Sequence, residues 1–208
     1  MCKRLIIFLI FILSFTLLHS QNSNGSFSAE LTSGPSFAIG DLGGSRLKYG
    51  RGLDAVLALD VYANVGLFGG WSTNSFSSDG LFNYRESGLM YGLQYKINSA
   101  ESPFELILRV GMLWNHLEAT DRKESVLDDF YHDTDYSKGF YTSSGINYSI
   151  GRGWFLNGTV KYHLFTKRAT LPEVIWPDGT PESEVIVSMP RNLSLNYIGV
   201  RLGFFKVF

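Results

Sequence analysis

The sequence predicts an all-β fold, an antiparallel up-and-down barrel of eight strands, from two observations. Eight stretches alternate apolar residues with small or polar ones at a period of two, which gives a β-strand two different faces. The connections between these stretches alternate between long and short. The eight stretches are residues 26–36, 51–60, 63–75, 86–97, 104–117, 139–149, 154–168 and 193–208.

The composition of the 208-residue chain fits a single domain of this kind. Charged residues make up 18%, below the roughly 25% of ordinary soluble domains, whereas aromatic residues reach 15% and there are 22 glycines. The 19 acidic and 18 basic residues nearly balance. Such a chain offers no basic surface to nucleic acid, so we expect no nucleic-acid partner.

The N-terminus has the pattern of a secretory signal peptide. Lys3 and Arg4 precede an apolar run, Leu5 to Leu18, and the chain turns polar at His19. This run is shorter than the ~20 residues that a membrane-spanning helix needs, although an uncleaved anchor is the alternative. We expect residues 1–20 to be removed and residues 21–208 to form the barrel. Cleavage also removes Cys2, the only cysteine, which suits an oxidising compartment.

The lengths of the connections indicate that the barrel crosses a membrane. In an antiparallel meander, alternating long and short links place all the long ones at one end and both termini at the other. Transmembrane barrels have short periplasmic turns and longer extracellular loops, whereas soluble up-and-down barrels usually have short hairpins at both ends. Both termini are then expected to be periplasmic. The long links are residues 37–50, 76–85, 118–138 and 169–192, and the short ones are 61–62, 98–103 and 150–153.

The apolar face is predicted to meet lipid. In residues 104–117 every second residue from Phe104 to Trp114 is apolar, and this set begins and ends with an aromatic residue. Ten residues at about 3.3 Å each, tilted by roughly 40°, rise about 25 Å, the height of the apolar band of an outer-membrane barrel. A large soluble core is the alternative. The aromatic residues expected at the two membrane interfaces are Trp71, Phe104, Trp114, Trp154 and Phe204.

The pattern as a whole resembles the small outer-membrane β-barrel domain family of Gram-negative bacteria, which includes PorT-like and OmpA-, OmpX- and OmpW-like barrels. The segments that carry the resemblance are FSAELTSGPSFAIGDLG, the eight alternating stretches and the ending RLGFFKVF. The resemblance implies an outer-membrane location, contact with outer-membrane lipids, and a C-terminal signal read by the barrel-assembly machinery. Lys206 departs from the apolar residue usual two positions before the terminal aromatic. The signal residues are Leu202, Phe204 and Phe208.

Eight charged residues are predicted to face the lumen, four acidic and four basic. Because a barrel of eight strands encloses a space that side chains can fill, these charges are expected to form a self-neutralising plug. A narrow, charge-selective channel for small solutes is the alternative. The residues are Glu30, Asp54, Asp60, Glu105, Lys96, Arg109, Lys161 and Arg201.

No catalytic, metal or cofactor site is expected. A lipid A-modifying hydrolase would need a nucleophile, a base and an orienting acid near the outer rim. After cleavage only His116, His132 and His163 remain, and their surroundings do not match the outer-membrane deacylases or palmitoyl transferases. The aspartates of the third long link lack the D-x-D-x-D-G order of a calcium loop. We therefore expect a structural or surface-interaction protein, with the hydrolase as third hypothesis.

The fourth long link, residues 169–192, leaves two alternatives open. Two β-prone runs, Glu173 to Trp176 and Glu184 to Val187, flank a turn-forming set, Pro177 to Thr180. One alternative is a hairpin above the membrane whose open edge recruits a strand from an extracellular protein partner. The other is a loop folded over the barrel mouth, with Trp176 covering the lumen; several prolines would blunt an open edge.

Overall fold

The computed structural model describes residues 26–42, 45–62, 64–79, 82–98, 102–121, 131–175 and 185–208. The proposed signal peptide, residues 1–20, lies outside these ranges. Within them no helix is long and apolar enough to cross a membrane. The described residues form ten strands: β1 (Phe27–Ala38), β2 (Asp41–Leu42), β3 (Ser45–Tyr62), β4 (Val65–Ser78), β5 (Phe82–Asn98), β6 (Phe104–Asp121), β7 (Tyr131–Asp133), β8 (Ser137–Gly151), β9 (Trp154–Ile175) and β10 (Val185–Val207).

Eight of the described strands close into an antiparallel barrel, which confirms the predicted fold class. The pairing order runs β1, β10, β9, β8, β6, β5, β4, β3, and β1 pairs with β3 to complete the ring. The closing seam joins β1 to β10 from the pair Ser28 and Val207 to the pair Ala38 and Tyr197. The short strands β2 and β7 pair with β3 and β6 at the rim of the long links.

Both ends of the described chain lie at the rim of the short turns, as the link lengths predict. The amide of Phe208 donates to the carbonyl of Phe27 at 2.9 Å across this rim. The turn between β8 and β9 has three successive residues in the left-handed region: Gly151, Arg152 and Gly153, with φ of 97°, 53° and 73°. Two of the three lack a Cβ, which makes this tight reversal less costly.

The strands run further toward the long links than the alternation predicts, so the predicted extent of these links is wrong. β3 begins at Ser45 rather than at residue 51, β5 begins at Phe82 rather than at residue 86, and β6 ends at Asp121 rather than at residue 117. The reason is that hydrogen bonding between antiparallel neighbours does not need an apolar face. The hydrophobic period ends with the apolar band, whereas the backbone ladder continues above it.

The fourth long link is the largest such extension. β9 and β10 stay paired up to Ile175 and Val185. The pairing of β8 with β9 ends at Phe165, and that of β1 with β10 ends at Tyr197. Residues 166–175 and 185–196 therefore form a hairpin that projects beyond its neighbouring barrel strands. Trp176 and the turn at 177–180 lie outside the described residues.

The two faces of the sheet differ as predicted. The outward apolar side chains of the barrel strands are exposed; Leu67 and Val160, for example, are each 52% exposed. No charged side chain points outward in residues 53–59 of β3, 65–73 of β4, 89–97 of β5 or 104–114 of β6. The inward side chains are buried, and two apolar clusters lie among them. The core of this protein is therefore the filled lumen.

Candidate functional site

The alternation of the strands places all eight charged residues of the predicted set on the inner face. Asp60 and Glu105 are half-buried, and the other six are buried: Glu30, Asp54, Lys96, Arg109, Lys161 and Arg201. Unpaired charges in such a confined space would be costly, so the arrangement of partners decides whether the lumen is stable.

Asp54 on β3 is the centre of the strongest group of charges. Lys161 Nζ on β9 donates to both of its carboxylate oxygens, at 2.6 and 2.7 Å. Arg201 Nε on β10 donates to Asp54 Oδ2 at 3.1 Å. One carboxylate thus accepts from two cations on strands far apart in the sequence, and the ion pairs cross the lumen rather than follow one strand.

The remaining donors of Arg201 are directed at the β1 and β4 side of the barrel. Its Nη1 donates to the carbonyls of Gly34 at 3.0 Å and Pro35 at 2.7 Å. Its Nη2 donates to Ser36 Oγ at 2.8 Å and to Asn74 Oδ1 at 2.5 Å. The side chain is 0% exposed. Every guanidinium nitrogen has an acceptor, which is the condition under which a fully buried arginine is tolerated.

Nearer the short turns there are two further ion pairs, one across the lumen from β6 to β1 and one from β5 to β3 over Gly66 of the intervening β4. Arg109 Nη2 donates to Glu30 Oε2 at 2.7 Å, and Lys96 Nζ donates to Asp60 Oδ2 at 2.8 Å. Gln94 links the two pairs: its Oε1 accepts from Arg109 Nε at 3.3 Å, and its Nε2 donates to Asp60 Oδ1 at 3.1 Å. Asp60 also accepts from Ser26 Oγ.

Glu105 is not joined to a cation among the described residues. Its Oε1 accepts from Asn147 Nδ2 at 2.9 Å, and Asn157 Nδ2 donates to Asn147 Oδ1 at 2.6 Å. We expected four acids to be balanced by four bases, but the side-chain amide of Asn147 binds Glu105 where a basic residue was expected. This is tolerated because Glu105 is only half-buried near the rim.

Glu86, a completely buried acid on β5, was missed by the reasoning from sequence. Its carboxylate accepts from Tyr197 OH at 2.7 Å and from Asn115 Nδ2 at 2.6 Å, and His163 Nδ1 lies 3.6 Å from Oε1. Asn74 Nδ2 also donates to it, at 3.3 Å. The parity of its stretch could have revealed it, because Glu86 shares the inward positions of Gln94 and Lys96.

An apolar cluster closes the lumen at the end of the long links, and the sequence did not reveal it either. Its buried members come from six strands: Leu42, Phe76, Tyr84, Leu117, Ala119, Phe165, Leu193, Leu195 and Tyr197. Leu42 belongs to the short strand β2, within a predicted loop, and is 0% exposed. We call this cluster the apolar cap. The lumen is thus filled by ion pairs and a second apolar cluster along the barrel, and by the apolar cap at one mouth.

Comparison with models of known protein families finds no match, and comparison with curated proteins finds none either. Comparison with solved structures does find similar folds. Neisserial surface protein A (NspA) matches with a TM-score of 0.61 and 10% identity, over 89% of this chain and 98% of that one. A major outer membrane protein of Thermus thermophilus matches with a TM-score of 0.54 and 16% identity, over 89% of this chain and 100% of that one.

The chain has the fold of the eight-stranded outer-membrane β-barrels. The resemblance seen in the sequence is thereby confirmed at the level of fold. At 10% and 16% identity the likeness extends to the architecture of the barrel and not to any binding residue.

On the outer-membrane barrel fold, the five predicted interface aromatics point outward at two levels. Trp71 and Trp114 flank Leu89 in one row across β4, β5 and β6. Phe104 and Phe204 belong to a second row, toward the short turns, which continues through Tyr148 and Leu156. The rings of Phe104 and Tyr148 are 5.1 Å apart. Trp154, also outward, begins β9 at the same rim.

The last residues of the barrel lie along the closing seam. Leu202 and Phe204 point outward and are 70% and 55% exposed, and Phe208 packs its ring 5.8 Å from that of Phe27. Lys206 Nζ lies 5.3 Å from the centre of the Trp154 ring and donates to the carbonyl of Arg152 at 2.5 Å. The lysine that departs from the expected terminal pattern is therefore held at the turn between β8 and β9.

The histidines do not form a catalytic triad among the described residues. Ser87 Oγ lies 2.8 Å from His116 Nε2, and Glu118 Oε1 lies 3.7 Å from the same nitrogen. In a triad the acid and the nucleophile face opposite ring nitrogens. His163 is buried in the lumen, and the side chain of His132 lies outside the described part. Within that part, no group of three His, Cys, Asp or Glu is placed to hold a metal ion.

Proposed function

We propose that this protein is a non-enzymatic integral barrel of the Gram-negative outer membrane with a closed lumen, and that it serves a structural or surface-interaction role. Residues 1–20 act as the cleaved signal peptide, and residues 21–208 form the barrel with both termini in the periplasm. The observation that carries the closed lumen is its filling: Arg201 and His163 are 0% exposed although they face the inside of the barrel.

The outward face supports the membrane location. An apolar surface that encircles the barrel far exceeds the few hundred Å² that soluble monomers expose in one patch. It is free of outward charge in the described ranges 53–59, 65–73, 89–97 and 104–114, and aromatic residues lie at both of its edges. Burial of this band in lipid explains why the hydrophobic period ends before the strands do.

The contacts inside the lumen support a plug rather than a conduit. A water-filled path would leave the inward polar groups accessible to water, yet Glu86, Asn74 and Lys161 are almost completely buried. Opening a path would separate buried ion pairs, and each broken pair costs about 3–5 kcal/mol. The apolar cap adds a second barrier to ions, because its side chains offer no ligands to replace water.

Planar-bilayer recording tests the closed lumen. We expect the refolded protein to show no stepwise conductance, because the ion pairs and the apolar cap leave no continuous aqueous path. Insertion is verified by the mobility difference between unboiled and boiled samples on a denaturing gel, and an open porin recorded in the same bilayers serves as positive control. Repeated conductance steps from the inserted wild-type protein would show that the lumen is a channel instead.

The hairpin of β9 and β10 supports the surface-interaction role. Beyond Phe165 the described strands pair β9 only with β10, so the edge of β9 that faces β8 closer to the barrel has no strand partner among the described residues. Pro172 and Pro190 lie within the paired segments and each removes one backbone donor. We propose that the hairpin presents this interrupted edge to an extracellular protein.

Shortening the hairpin separates a binding role from a folding role. Residues 168–192 are replaced by Asn-Gly, which connects the paired residues Lys167 and Leu193 by a two-residue turn. We expect the barrel to fold with unchanged heat-modifiability, because Phe165, Leu193 and Leu195 of the apolar cap remain. Adhesion of cells that carry the wild-type barrel to host or bacterial surfaces should be lost with the shortened form. Failure of the shortened barrel to fold would assign the hairpin a structural role instead.

A further inference from the structure

Two arginines lie side by side on the outer surface, just above the apolar band. Arg51 on β3, Ser75 on β4 and Arg85 on β5 occupy one row of the sheet. Both arginines are exposed and have the outward parity of their strands. Since neighbouring strands are about 4.8 Å apart, the two Cα atoms are about 10 Å apart. Two guanidinium groups can therefore converge on one ligand above Ser75.

The height of this row relative to the apolar band indicates what it meets. Ser75 lies four residues beyond Trp71 on the same face of β4, toward the long links. Four residues of a tilted strand rise about 10 Å. On the proposed orientation, with the long links outside the cell, the row is level with the head groups of the outer leaflet.

The surface around the row is concave rather than flat. A groove of about 630 Å³ has three small residues in its lining, Gly50, Ser75 and Ser77, together with Phe76. β3 contributes Lys48, Tyr49 and Arg51 to it. β5 and β6 contribute Asn83, Tyr84, Arg85, Glu118 and Thr120. Three of the lining residues are cations and one is an acid, so the groove favours an anion.

The two arginines of the row, Arg51 and Arg85, have no ion-pair partner among the described residues. Arg85 Nε donates to Thr73 Oγ1 at 3.3 Å, which places its guanidinium over β4, the strand between the two arginines. Glu118 is the cross-strand neighbour of Arg85, but its carboxylate lies 3.7 Å from His116 Nε2 on the same face of β6 and forms no ion pair with Arg85. The guanidinium groups therefore keep their outer donors for an external acceptor.

A second, less polar groove begins on the other side of Arg51. It has a volume of about 510 Å³ and is lined by Ser33 and Pro35 of β1, Tyr49, Arg51 and Leu53 of β3, and Thr73 of β4. Leu53 is the next outward residue after Arg51 in the direction of the apolar band. The second groove thus leads from the arginine row down to the lipid-facing surface, with room for a hydrocarbon chain.

We propose that the two grooves together bind a phosphorylated lipid of the outer leaflet, with Arg51 and Arg85 holding its phosphate and the second groove holding one acyl chain. The guanidinium fork matches phosphate oxygens in a paired geometry, and small lining residues let a sugar-sized head group approach the sheet. This inference rests on the proposed outer-membrane orientation, because only then do the long links and the arginine row face the outer leaflet.

The test measures lipid binding to the intact purified barrel by native mass spectrometry from detergent micelles. The probes are diphosphorylated lipid A, the same lipid after removal of its phosphates, and inorganic phosphate as competitor. The variants are the double substitution R51Q and R85Q and, as matched control, K138Q. Lys138 is likewise an exposed cation, paired with Trp114 in the aromatic row of Trp71 and Trp114, but it lies on β8 outside both grooves.

We expect the wild-type protein and K138Q to bind diphosphorylated lipid A equally, and the double variant to bind it roughly tenfold to a hundredfold more weakly. Dephosphorylated lipid should bind the wild-type protein as weakly as the double variant binds the intact lipid. Equal binding of both lipids, or an unchanged affinity of the double variant, would overturn the proposal. Displacement of the lipid by equimolar inorganic phosphate would show a free-anion site instead.

The failure of this inference can be distinguished from that of the proposed function. Every sample is first checked for heat-modifiability, which reports the folded barrel independently of lipid binding. A heat-modifiable wild-type barrel that does not discriminate between the two lipids refutes the phosphate site alone. Surface labelling of the R85C variant in cells tests the orientation separately: absence of labelling by a membrane-impermeant reagent would contradict the outward orientation of the long links.

Discussion

Replacement of Arg201 by alanine is expected to lower the free energy of unfolding by about 3–5 kcal/mol, since the variant leaves buried polar partners without their cation. The guanidinium of Arg201 joins Asp54, two carbonyls of β1, Ser36 and Asn74. β1, β4 and β10 meet at this one side chain, and the pairing of β1 with β10 closes the barrel. Charge reversal to glutamate should cost more, because it adds repulsion from Asp54.

Urea unfolding in lipid vesicles measures this change through tryptophan fluorescence and gel mobility. The matched control is R46A, which removes an exposed arginine of β3 whose described hydrogen bonds with Asp79 use only its backbone amide and carbonyl. We expect the control to stay within about 0.5 kcal/mol of the wild type. If R201A were as stable as R46A, the ion pairs would not lock the lumen, and the proposed plug would lose its main support.

Deletion of Phe208 is expected to reduce the amount of barrel inserted in the outer membrane of cells several-fold, while the stability of the refolded protein changes little. The second part follows from the structure: the ring of Phe208 is 62% exposed and packs only at the rim, 5.8 Å from Phe27. The first part follows from the resemblance, in which the terminal aromatic is read by the barrel-assembly machinery.

Two measurements distinguish recognition from stability for this residue. Heat-modifiable protein in isolated outer membranes reports assembly, and urea unfolding of refolded protein reports stability. F104A is the control: it removes another exposed aromatic ring at the same rim but leaves the C-terminus intact. Normal insertion of the truncated chain would show that Phe208 is not part of the assembly signal. A large loss of refolded stability would instead assign Phe208 a role in closing the seam.

The architecture of the barrel could be predicted from the sequence because the two faces of each strand have different surroundings: an apolar exterior on one face and the packed lumen on the other. Leu89, Tyr91 and Leu93 alternate with Met90, Gly92 and Gln94, and the structure places the first set outside and the second inside. The short turn at residues 150–153 and the termini at the same rim also follow from link lengths. The ends of the strands toward the long links could not be predicted, since backbone pairing there continues without an apolar face.

The contents of the lumen could be predicted only as a set of residues. Parity identifies Asp54, Lys161 and Arg201 as inward, and it would also have identified Glu86. It does not say that Asp54 accepts from two cations, or that Glu105 pairs with Asn147. The apolar cap was missed because Leu42 belongs to none of the periodic stretches and reaches the lumen only through the pairing of β2 with β3.

The sequence by itself determined the number of barrel strands, their order, the outward apolar band and the inward charges, because these depend on the period of two and on link lengths alone. The tertiary structure decided which charges meet, what fills the mouth and where two arginines form a groove. Those outcomes depend on the stagger between strands: residues separated by more than a hundred positions, such as Asp54 and Arg201, become neighbours only when the sheet closes on itself.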